Sequence, residues 1–231
     1  MADTLDYSGV RTIDVGLRQY MLRVYNFMAA GLGLTGLVAY AAVATGLYQQ
    51  IAATPLIWVM MLAPLALVLL LSFRIDRMSA GAAQASFWGF AALMGLSLAG
   101  ILLVYTGTSV ARVFFISGAT FGAMSLYGYT TARDLSRFGS FLLMGLIGIV
   151  LASLVNIFIG SSALQFALSV VGVVVFTGLT AWDTQRIKEI YLESDPGDVL
   201  TKKALMGALA LYLDFINLFV IMLQLTGQRR D

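Results

Sequence analysis

Ionisable side chains fall in a few clusters along the 231-residue chain, and the stretches between them are apolar on every side. No acid or base interrupts the run from Val24 to Phe73. A helix needs roughly 20 apolar residues to cross a bilayer, so this run predicts two spans. They break near Leu47-Tyr48-Gln49-Gln50, and Pro55 lies near the start of the second. A third span is expected from Ala82 to Tyr105 and a fourth from Val113 to Ala132. Phe138 to Trp182 holds two more, broken at Gly160-Ser161-Ser162, and Ala204 to Gln228 holds the last. A closed β-barrel would alternate apolar and polar residues with a period of two. Runs such as Ile147-Gly148-Ile149-Val150-Leu151 do not alternate. The pattern predicts an all-α integral membrane protein with seven transmembrane helices. Residues 1–19 are expected as an N-terminal segment, 20–228 as the membrane domain and 229–231 as a short tail.

Composition agrees: 60% of the residues are hydrophobic and 11% charged, against roughly 25% charged in soluble domains. The chain has no histidine and no cysteine. That excludes Ser-His catalysis, thiol nucleophiles, disulfides, zinc sites built on His or Cys, and iron–sulfur clusters. A net charge of +2 gives no reason to expect nucleic acid as a partner. The bilayer is the expected one.

Eleven of the 14 basic residues fall on one side of the predicted topology: Arg11, Arg18, Arg23, Arg74, Arg77, Arg133, Arg137, Arg186, Lys188, Lys202 and Lys203. Positive charge collects on the cytoplasmic side, so the N-terminus is expected in the cytoplasm and the C-terminus on the opposite side. The acidic, polar start, Met1 to Asp6, is not expected to act as a cleavable signal. No internal repeat is strong enough to predict an inverted-repeat transporter. Small residues at helix-contact spacing, Gly118/Gly122 and Ala91/Gly95/Ala99, are expected to mark tight packing.

Charges inside a membrane are costly and mark function or buried structure. Asp214 lies deep in the last span, and Gly207, Ala210, Asn217 and Gln224 share its face at 100° per residue. That small and polar stripe should face protein or water. The alternative is a structural carboxyl hydrogen-bonded between helices. Asp183 ends the sixth apolar run, but Ile187, Ile190 and Tyr191 keep its stripe apolar further on. The helix should therefore continue about two turns and draw Asp183 below the interface, with Thr177, Thr180 and Thr184 to one side. Otherwise it is a solvated boundary residue. The last two spans run antiparallel, so the two aspartates lie at similar depth. Two carboxyls held together in low dielectric cannot both ionise cheaply and would share a proton. Such oxygens also suit calcium. Arg74, at the end of the second span, could reach inward to the pair or serve as an ordinary anchor beside Asp76. Asn156 reads as a helix–helix hydrogen bond.

Residues 208–219, reading ALALYLDFINLF, and 181–188, reading AWDTQRIK, resemble the Bax inhibitor (lifeguard) family of multi-pass proteins. Residues 127–136, YGYTTARDLS, and 155–158, VNIF, add to the resemblance. It implies a bacterial inner-membrane protein with helix pairs around a central seventh helix, and a pH-sensitive calcium leak. By residue, it implies a gating and ion-binding pair Asp183 and Asp214, with Arg74 as the latch. Thr180 and Asn217 would be supporting polar groups. No cofactor is implied beyond calcium as ligand or substrate, and no enzymatic activity. Trp182 departs from the tyrosine that many members carry at that position. A second role compatible with the resemblance is a non-transporting regulator of a membrane protease or quality-control complex. An intramembrane aspartyl protease is disfavoured, because Leu213 stands where the GxGD motif places glycine.

Overall fold

The computed structural model describes residues 15–230 and contains eight α-helices, with no strand among those residues. They are α1 (Val15–Ala44), α2 (Leu47–Ala52), α3 (Leu56–Arg74), α4 (Ala80–Val104), α5 (Gly107–Thr130), α6 (Ser136–Ile159), α7 (Ser162–Glu189) and α8 (Gly197–Thr226). All except the short α2 are long and apolar enough to cross a membrane, which makes the seven expected spans. Hydroxyl caps start three of them. Ser79 Oγ accepts from Ala82 N, Thr106 Oγ1 from Ser109 N and Ser161 Oγ from Leu164 N, each satisfying an orphan N–H. Gly160, at φ 67, ends α6 in the left-handed conformation that lets the chain turn back into α7.

Several helix ends differ from the sequence reading, and two of the differences have one reason. Long basic side chains snorkel, so a charge does not end a helix. Arg112, read as a loop residue, is an exposed position within α5, which starts at Gly107 rather than Val113. Lys202 and Lys203 lie within α8, which starts at Gly197 rather than Ala204. Lys203 Nζ donates to Ile190 O at 2.8 Å and pairs with Asp195, stitching α8 to the connection before it. Helix α1 begins at Val15, inside the expected N-terminal segment; residues 1–14, Arg11 among them, lie outside the described residues. The break at Leu47–Gln50 is itself helical, as α2.

Helix α8 is the core. Thirteen of its residues are buried, among them Leu211, Tyr212, Asp214 and Leu218, and α1, α4, α5 and α7 pack around it. Helices α3 and α6 stand outside, leaning on α4 and α7 respectively. The units α1–α3–α4 and α5–α6–α7 thus repeat one pattern: first helix on third, second on third. With three spans each they run in opposite senses, a repeated contact pattern with no matching repeat strong enough to read in the sequence.

Direct backbone contact sets the tightest seams. A Cβ on Gly95 would lie 2.6 Å from Thr35 O, and Ala91 and Ala99 beside it are fully buried, so that small-residue stripe packs as expected. Gly118 and Gly122 do not: a Cβ on either would meet nothing within 4 Å. The close glycine of α5 is Gly128, against the Ala181 backbone of α7. On the other side of α8, Tyr212 Oη and Thr35 Oγ1 lie 2.6 Å apart, and Thr35 Oγ1 also reaches Ala91 O at 2.8 Å. That node pins the central helix to α1 and α4.

Candidate functional site

Helices α6, α7 and α8 line a cavity of about 630 Å³ that opens sideways between α6 and α8. Its walls are apolar, including Leu146, Ile149 and Val150 of α6, Phe176 and Leu179 of α7 and Leu213 of α8. Asp183, Arg186, Asp214, Asn217 and Ser153 supply its polar groups. Helix α6 buries only Gly139, Leu142 and Asn156, and its cavity-lining side chains, such as Val150 and Leu154, are half exposed at the cavity's rim.

Asp214 is 5% exposed and Asp183 half-buried. As expected, α7 continues past Asp183 to Glu189 and carries it below the helix end. The two carboxyls line the same cavity and act on each other electrostatically. An ionised carboxylate only accepts hydrogen bonds, so carboxyls can bond to one another only when one carries a proton. Asp214 Oδ2 is buried with no protein donor. A buried acceptor without a donor is expensive; a shared proton or a bound cation would satisfy it.

The supporting polar groups divide. Asn217 lines the cavity one turn from Asp214, with Nδ2 donating to Leu213 O at 2.8 Å, so its Oδ1 is left for other partners. Thr180 does not line it. Its hydroxyl donates to Phe176 O at 2.8 Å, and its own carbonyl accepts from Thr184 at 2.7 Å. Thr184 Oγ1 in turn lies 2.9 Å from Ser125 Oγ, which lies 2.7 Å from Tyr25 Oη. Thr184 thus ties α7 to α5 and, through Ser125, to α1, while Thr177 Oγ1 is buried without a partner.

Arg74 is exposed at the end of α3 and does not line the cavity. The arginine beside the acids is Arg186, three residues past Asp183 on the same helix and electrostatically coupled to it. Its guanidinium carbon stands 5.4 Å from the Trp182 ring centroid. The indole packs directly over Gly139 of α6.

Gln185 was not singled out from sequence. It is 4% exposed; its Oε1 accepts from Leu135 N at 2.8 Å and its Nε2 donates to Arg133 O at 2.8 Å. With Lys188 Nζ donating to Tyr129 O at 2.9 Å, it clasps the α5–α6 connection and fixes the end of α7 that bears Asp183. The two motifs at 127–136 and 181–188 are thus one unit in space. The legible signal was an uncharged amide amid charged neighbours.

Calcium takes six to eight oxygens. Among the described residues no cluster of three or more acidic, His or Cys side chains exists. Two carboxylates with the Asn217 amide form a sparse oxygen set that water would have to complete.

A sequence model of the family described as inhibitor of apoptosis-promoting Bax1 matches residues 17–231. An uncharacterized protein of Rickettsia prowazekii is 50% identical over 222 residues, covering 96% of this chain and 94% of the relative. The inner membrane protein YbhL of Escherichia coli is 48% identical over 219 residues, 93% of this chain and 94% of that one. An uncharacterized membrane protein of Streptococcus pyogenes is 36% identical, covering 93% of this chain and 95% of its own length. With seven apolar helices, these likenesses support a multi-pass inner-membrane protein.

Proposed function

Because this chain belongs to the family of inhibitors of apoptosis-promoting Bax1, we propose that it is a pH-sensitive leak for calcium across the inner membrane, gated by Asp183 and Asp214. The observation that carries this reading is the buried, donorless Oδ2 of Asp214, set beside a second carboxyl in a membrane-embedded cavity. In acid the pair holds a proton, its charge is reduced, and the apolar walls favour a closed packing. As pH rises the proton leaves, and two negative charges in low dielectric draw in a divalent cation. Proton and calcium compete for the same oxygens, so flux rises with pH. The ligand set is weak enough to release the ion, as conduction requires. With most basic residues on one side, we place that side and the N-terminus in the cytoplasm.

Calcium uptake into proteoliposomes across a pH series tests this. Uptake should increase from acid to neutral pH; a flat profile rejects the gate. In the same series Arg186→Gln removes the positive charge that favours the ionised pair, so half-maximal uptake should move to higher pH. Arg74→Gln should leave the midpoint in place, since α3 leans on α4 and Arg74 lies outside the cavity. A midpoint that moves only with Arg74→Gln would return the latch to that residue.

A further inference from the structure

The polar stripe of α8 does not stop at the acids. Asp214, Asn217, Ile221 and Gln224 follow at spacings of three, four and three residues, within about 80° of one face. Ile221 is the single apolar member. Its Cδ1 would lie 2.8 Å from a Cβ placed on Gly172 of α7, so it fills a notch that exists because residue 172 has no side chain. Gly172 itself is buried.

The cavity runs along α6 from Leu143 to Ile157, about 21 Å at 1.5 Å per residue. At the end away from Arg186 its lining stops at Ile221 and Ile157. Level with that end on α6, and one turn past Ile221 on α8, lies a chain of amides joining all three helices. Asn156 Nδ2 of α6 donates to Gln165 Oε1 of α7 at 3.3 Å, and Gln165 Nε2 donates to Gln224 Oε1 of α8 at 3.2 Å. Asn156, 8% exposed, also accepts from Ser161 N at 3.0 Å and so holds the α6–α7 turn. Polar groups therefore stand on both sides of one isoleucine. An apolar side chain that interrupts a polar stripe can close a path by excluding water.

We infer that Ile221, seated against Gly172, is the plug of a water path leading along α8 from the acid pair to the Asn156–Gln165–Gln224 cluster at the opposite membrane face. The path deepens the leak reading and rests on it for its purpose. Its test reads water access, not calcium flux, so either can fail without the other.

The chain has no native cysteine, so single cysteines can be introduced and probed with a charged, membrane-impermeant thiosulfonate from each face. Gln224→Cys should react from the face nearer the amide cluster, which also reports correct folding. Asn217→Cys should be slow from that face and react at least tenfold faster there once Ile221→Ala is added. Ile221→Val should give a smaller increase in the same direction, which preserves the test if the alanine variant fails to fold. Unchanged reactivity of Asn217→Cys from that face in both Ile221 backgrounds, with Gln224→Cys reacting normally, overturns the plug. So does an Asn217→Cys thiol that reacts from neither face in any background.

Discussion

Asp214→Asn is expected to cut calcium uptake at neutral pH at least tenfold and to leave the remainder independent of pH. The amide matches the carboxyl in shape and can donate to Asp183, so the buried Oδ2 position gains a partner and the fold should hold. What is lost is the second negative charge. Placing a charge at the centre of a spanning helix costs about 2.5–3.5 kcal/mol. An ion that loses one of its two counter-charges gives up a comparable amount, and each 1.4 kcal/mol is worth about tenfold. Asp183→Asn should act in the same direction. Its effect should be smaller, because Asp183 is half-buried and closer to solvent and Arg186. Uptake by Asp214→Asn that still climbs with pH would mean that another group titrates.

Gly128→Ala is expected to lower thermal stability more than any other single methyl added to α5. A Cβ there would run into the carbonyl oxygen, carbonyl carbon and Cα of Ala181. Backbone cannot rotate aside, so α5 and α7 must separate. Overpacking a tight seam costs about 1–3 kcal/mol and occasionally more. At roughly 2–4 °C per kcal/mol for a chain of this size, the melting temperature in detergent should fall by about 5 °C or more. Gly122→Ala, on the same helix where a Cβ meets nothing within 4 Å, is the control and should melt near the wild type. The substitution also moves the residues that follow Ala181, which are Trp182 and Asp183. Calcium uptake in Gly128→Ala should therefore lose its pH dependence even where the protein survives. Equal melting of the two alanine variants would contradict the contact.

The number of spans and the depth of both acids were legible in sequence, because burying charge in lipid is costly enough to leave long uncharged runs. Asp214 could be placed by counting from its helix ends, and Asp183 by the apolar stripe through Ile187 that carries α7 to Glu189. Azimuth and neighbour were not legible. Arg74 sits at a depth compatible with the pair, yet depth says nothing about which helix α3 leans on. Arg186 lay three residues from Asp183, on a neighbouring line of the same helix, and could have been read from spacing alone. Thr180 is equally near Asp183 along the helix but on its other flank, and that small rotation turns it from the cavity into α7's own backbone bonding. Gly118 and Gly122 have the spacing of a contact without the contact, whereas Gly128 makes one that no repeat announces. The repeated contact pattern of the two three-helix units is likewise a property of packing, invisible in residue identity.

The central claim is that two carboxyls share a proton and give it up to a cation. Infrared difference spectroscopy of the reconstituted protein reads this directly through the C=O stretch of a protonated carboxyl. Calcium added at mildly acidic pH should remove a protonated-carboxyl band in the wild type, and neither Asp183→Asn nor Asp214→Asn should show that loss. A wild-type spectrum in which calcium removes no such band, or a loss that persists unchanged in both variants, would contradict the account.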